Sequence, residues 1–71
     1  MEKLLDIVAE VLNVDKSQIS LNTSRDEIAA WDSLNHVRLI AELEEQLNIT
    51  IPFEAVSGIK KVSDILEFVK D

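Results

Sequence analysis

Seventy-one residues suffice for one small domain, here residues 1–71, with one thin core and little room for a water-excluding cavity beside it. Fourteen acidic residues against seven basic ones give a net charge of −7, which repels nucleic acid and anionic membranes. The absence of cysteine removes disulfides, thiolate metal sites and cysteine catalysis, and a single histidine removes any multi-histidine metal centre.

No apolar run approaches the roughly 20 residues that span a bilayer, and the N-terminal stretch carries acids inside its apolar run instead of a signal-peptide profile. The expectation is a cytoplasmic monomer with no membrane insertion, no nucleic-acid partner and no metal. One glycine and one proline leave too few turn signals for a many-stranded fold, so an all-α fold is expected. Stepping about 100° per residue, residues 2–13 form an amphipathic helix. Leu4, Leu5, Ile7, Val8, Val11 and Leu12 occupy one half of its wheel; Glu2, Asp6, Glu10 and Asn13 occupy the other. Residues 14–32 have no sustained period. Val14, Ile19, Leu21 and Ile28 recur through them as apolar pins, the pattern of a long ordered loop crossing the end of a bundle.

Residues 33–47 form the second helix, with Leu39, Ile40, Leu43 and Leu47 in a core stripe. The segment Ile49-Thr50-Ile51-Pro52 breaks it, because proline disfavours the α conformation in the residue before it. FEAVSG, residues 53–58, predicts a single short helical turn ended by Gly58. Residues 62–70 predict the last helix, with Val62, Ile65, Leu66 and Val69 inward and Ser63, Asp64, Glu67 and Lys70 outward. The architecture is therefore three main helices plus a short one.

The chemistry concentrates where the second helix starts. Asp32 is positioned to cap the free amides of the first turn. Ser33 then occupies the first helical position, where unpaired N–H groups and the helix dipole favour an attached anion. Leu34, Val37 and Ala41 lie roughly 135° from the centre of the core stripe, so the helix carries a second, partly exposed apolar strip. Arg38, Glu44 and Glu45 flank it, and an apolar strip rimmed by charge suits protein docking. Asp32, Ser33 and His36 do not amount to a hydrolase triad: on one helix the imidazole cannot be aligned between the other two, and no oxyanion hole is evident. His36 is expected to pack near Trp31 or the loop. Asp26, Glu27 and Asp32 lack metal-loop spacing.

The segment WDSLNHVRLIAELEEQLNITIP, residues 31–52, resembles the second helix and following loop of the acyl carrier proteins. Asp32-Ser33-Leu34 matches that family's attachment motif, and chain length and helix order match as well. The resemblance implies a four-helix carrier bundle with no catalysis of its own. It implies a 4′-phosphopantetheine on Ser33, flanked by Asp32 and Leu34 and installed from coenzyme A by a phosphopantetheinyl transferase. Acyl intermediates would be tethered on the arm as thioesters and delivered to acyl-loading, acyl-transferring or condensing enzymes. The docking residues would be Leu34, Val37, Arg38, Ala41, Glu44, Glu45, Ile51 and Val56. Three features depart from the family pattern. Ala29-Ala30-Trp31 replaces a glycine-containing approach, Arg38 stands where fatty-acid carriers tend to place an acid, and Lys60-Lys61 replaces a small hydroxyl residue. These lower the acidity of the docking face and point to a specialised pathway, such as a polyketide, aminoacyl or surface-polymer one. The alternative is an unmodified helical protein–protein interaction domain.

Overall fold

A computed structural model describes residues 2–69. In chain order these form α1 (Glu2–Leu12), 3₁₀ turns at Lys16–Gln18 and Arg25–Glu27, α2 (Ser33–Leu47), α3 (Phe53–Val56) and α4 (Val62–Ile65). A last 3₁₀ turn, Leu66–Phe68, continues α4. Helix α1 packs on α2. The stripe Leu4, Ile7, Val8 and Leu12 meets Leu39, Ile40 and Leu43, and all seven are buried. Leu5, Val11 and Leu47 sit half-buried at the edges of this seam. Ile19, Trp31, Ile51, Ile59, Val62 and Ile65 close the remaining sides of the core.

Both long helices end on asparagine, not glycine. Asn13 and Asn48 have φ of 57° and 55°, the left-handed conformation their short polar side chains tolerate. Beyond each, an amide reaches back to the carbonyl five residues earlier, Val14 to Ala9 at 3.0 Å and Ile49 to Glu44 at 3.2 Å. Each apolar residue that follows the asparagine is half-buried against the core, as the Schellman motif requires. Helix α2 therefore ends at Leu47, as its spacing predicts, but it is Asn48 that turns the chain, ahead of the proline-containing segment. Gly58 does not act as a left-handed cap either. No glycine has positive φ, and a Cβ at Gly58 would meet nothing closer than the Ala55 carbonyl at 3.5 Å.

The loop after α1 is ordered by long-range backbone pairing that helical periodicity does not report. Ser24 and Lys61 form an isolated antiparallel bridge. The Arg25 amide donates to the Lys60 carbonyl (2.7 Å), Val62 to Thr23 (3.0 Å) and Ser63 to Leu21 (2.9 Å). Thr23 is buried, and its Oγ1 accepts from the Ser20 amide at 2.8 Å. Of the expected pins, Ile19 is buried and Val14, Leu21 and Ile28 are half-buried.

The final helix is shorter than its apolar spacing predicted, and Lys70 lies outside the described residues. After Ile65 the chain tightens to 3₁₀, in which residues three apart share a line. Val62 and Ile65 are fully buried, and Phe68 follows in register against the core. Asp64 Oδ2 accepts from the amides of Lys60 and Lys61, holding the entry to α4.

Leu43 is fully buried, so Leu43→Ala should lower the unfolding free energy by about 2–5 kcal/mol. That is a large part of the margin of so small a domain. Leu34→Ala, on the exposed strip, should stay within about 0.5 kcal/mol of the parent in the same urea titration.

Candidate functional site

Helix α2 starts where the sequence places it. Asp32 is extended (φ −90°, ψ −175°), and its Oδ1 accepts from the Asn35 amide at 2.9 Å. The first helical bond runs from the His36 amide to the Asp32 carbonyl at 2.8 Å. The Asn35 side chain reaches back to the Ala30 carbonyl (2.7 Å), tying the first turn of α2 to its approach segment. With Asn35 satisfied, the amides of Ser33 and Leu34 are the first-turn donors without a helical acceptor. Ser33 is exposed at that positive end, and among the described residues its hydroxyl has no hydrogen-bond partner.

His36 is buried one turn further along. The indole Nε1 of Trp31 donates to its Nδ1 at 2.9 Å, and its Nε2 lies 2.8 Å from the Val56 carbonyl. An indole N–H can only donate, so Nδ1 accepts and Nε2 carries the proton toward Val56. The rings stand 6.1 Å apart, tilted by 33°. With both nitrogens engaged, the imidazole has none left for Ser33, and no Asp32–His36–Ser33 relay exists. The bonds hold the approach loop, α2 and the C-terminal end of α3 together.

The second apolar strip is exposed as its position on the wheel requires: Leu34 is 70% accessible, Val37 61%, and Ala41 is open as well. A groove of about 290 Å³ runs between it and α3, walled by Val37, Ala41, Phe53 and Val56. A second cavity of about 330 Å³ adjoins Ser33 and is bordered by Arg25, His36, Phe53, Glu54 and Ser57. Phe53 is shared by both walls and is 90% exposed. It was not singled out from the sequence, although an aromatic side chain directly after Ile51-Pro52 at the start of a one-turn helix is a readable signal of a surface anchor.

Two expected docking residues have other work. Ile51 is only 4% exposed and contributes to the floor of the groove, because its amide is held by Glu44 Oε2 at 2.9 Å. Glu44 is therefore half-buried and ties the α2–α3 connection, while still bordering the groove. Val56 is half-buried; Arg38 and Glu45 are exposed, Arg38 donating to Asn35 Oδ1 at 3.3 Å. Among the described residues no group of three or more His, Asp or Glu side chains could hold a metal, and no helix is long and apolar enough to cross a membrane.

Replacing His36 with Phe would keep the ring's bulk but strand the Trp31 N–H and the Val56 carbonyl. The expected loss is about 1–3 kcal/mol for each group that stays dry. Hydrogen exchange should quicken first in α3 and the 28–32 approach, ahead of α1.

Compared with known proteins, the chain matches over residues 2–69 the family described as the phosphopantetheine attachment site. Curated relatives include proteins named acyl carrier protein from Clostridium perfringens strains SM101 and 13. Each is 39% identical over 70 residues, covering 99% of this chain and 92% of the relative.

Proposed function

We propose, because this chain belongs to the acyl carrier protein family, that the Ser33 hydroxyl is the attachment point of the family's 4′-phosphopantetheine and that α2 presents the loaded arm to partner enzymes. Acyl carrier proteins are carriers without catalysis of their own; they work with a phosphopantetheinyl transferase and with biosynthetic enzymes. The observation that carries the reading is an exposed serine, without a hydrogen-bond partner among the described residues, at the first position of a capped helix and directly beside an exposed apolar strip.

The residues present fit the group. Ser33 supplies the ester oxygen in open solvent, where a transferase can reach it. Asp32 keeps the helix start rigid by occupying the Asn35 amide, and the free Ser33 and Leu34 amides favour a negative charge on the serine. Leu34, Val37 and Ala41 give a visiting enzyme an apolar grip; Arg38 and Glu45 set its orientation from the rim. Glu44, Ile51 and Val56 shape the groove wall and floor behind them. When bound, the arm supplies a terminal thiol that holds acyl groups as thioesters, which fits a chain with no cysteine of its own.

The partners we propose are a phosphopantetheinyl transferase, acyl-loading enzymes and acyl-transferring or condensing enzymes, met by a monomer in the cytoplasm. Arg38 on the docking face and Lys60-Lys61 before α4 support a carrier of a specialised pathway over a housekeeping fatty-acid role.

Incubation with coenzyme A and a broad-specificity transferase should add the mass of one phosphopantetheine to the chain and none to folded Ser33→Ala. An unmodified but folded parent chain would favour a plain interaction domain, and addition retained in Ser33→Ala would contradict Ser33 as the site. On the loaded protein, Arg38→Glu should raise kcat/KM severalfold with fatty-acid enzymes whose carrier-binding face is basic, chiefly through faster association. Unchanged kinetics would count against the role given to Arg38.

A further inference from the structure

Arg25 is one of seven basic residues in a chain of net charge −7. Its backbone is fixed by the 2.7 Å bond from its amide to the Lys60 carbonyl, and its side chain is aimed by Nε donating to the Trp31 carbonyl at 3.2 Å. Trp31 is itself held by His36. The guanidinium is therefore oriented before anything binds. Among the described residues it forms no ion pair, and its terminal nitrogens have no hydrogen-bond acceptor. It lines the same cavity as Ser33. Arg38 offers a contrast. It bonds Asn35 and lines a separate cleft with the carboxylates of Glu10 and Glu42, whereas Arg25 borders a neighbouring cleft with Asp26 and, among the described residues, forms no ion pair with it.

We propose that Arg25 is the anion partner of the phosphodiester formed at Ser33, holding the root of the arm against the cavity that Arg25 and Ser33 share. The inference rests on Ser33 being the attachment point and adds a positioning residue to it. A guanidinium anchored through Nε keeps free donors in one plane, a geometry that matches phosphate oxygens better than a flexible ammonium would. Pairing there biases the arm toward the α3 side of Ser33, where Phe53 and Ser57 border the cavity. Glu54 lines the same cavity and opposes the anion, so it weakens the pairing and leaves the arm able to swing out to an enzyme.

The test uses the full ¹⁵N-labelled chain before and after loading from coenzyme A, with intact mass verifying that loading is complete. Loading should move the Arg25 guanidinium resonances and slow their proton exchange about two- to fivefold, the ratio that an exposed ion pair gives. The ³¹P resonance of loaded Arg25→Gln should differ from that of the loaded parent, and added salt should shrink the difference. Arg25→Lys should keep part of the effect, and serves as the comparison if Arg25→Gln does not fold; Glu54→Gln should enlarge it. A fully loaded parent whose Arg25 signals and exchange are unchanged overturns the pairing, as does a ³¹P resonance identical in the parent and a folded Arg25 variant. No added mass on any variant removes the attachment at Ser33 instead, and this pairing with it.

Discussion

Two hydrogen bonds on one imidazole hold together everything the site needs. The path from the Trp31 indole through His36 to the Val56 carbonyl crosses from the approach loop to α2 and on to α3. Helix α3 is a single turn and could not persist alone, since one turn fixes several residues for little hydrogen bonding. Its position comes from this polar tie and from the Glu44 carboxylate on the Ile51 amide just before it. Because α3 stays in place, the groove beside α2 has a second wall. Because Trp31 stays in place, so does the carbonyl that aims Arg25. The exposed serine is thus one corner of a rigid frame whose interior is fully satisfied: among the described residues no buried side-chain N or O atom lacks a partner.

Elements whose formation depends on burying a stripe were legible in the sequence. Helix α2 runs from Ser33 to Leu47 as its spacing required, and α1 covers all but the last of its expected residues. The second strip of α2 followed from the same arithmetic, since Leu34, Val37 and Ala41 could not share the side taken by Leu39, Ile40 and Leu43. Periodicity is silent about polar contacts between distant segments. The Ser24–Lys61 bridge and the His36 bond to Val56, twenty residues away in the chain, leave no trace in it. Helix α2 ends at the expected residue for a different chemical reason: Asn13 and Asn48, which also tolerate the left-handed conformation, turn the chain after α1 and α2, and the proline and glycine do not. The resemblance put Ile51 among the docking residues, yet its side chain is buried and its amide is held by the Glu44 carboxylate.

The charge pattern gives the same face two characters. The chain as a whole carries a net charge of −7, which repels anions and suits the docking we propose on an apolar ridge with a charged rim. At the start of α2 the unpaired amides of Ser33 and Leu34 and the Arg25 guanidinium across the adjoining cavity stand among the carboxylates of Asp32 and Glu54. Arg38 and Glu45 are exposed on the rim of the α2 strip, away from that cavity, where the proposed docking would use them.

Fragmentation of the protein purified from its own cells bears most directly on the serine. The account predicts that the peptide containing Asp32-Ser33-Leu34 carries the phosphopantetheine mass and sheds its pantetheine portion on activation, while the peptides bearing Ser24, Ser57 and Ser63 stay unmodified. A folded native protein whose Ser33 is bare in every copy, or whose arm sits on another residue, would contradict it.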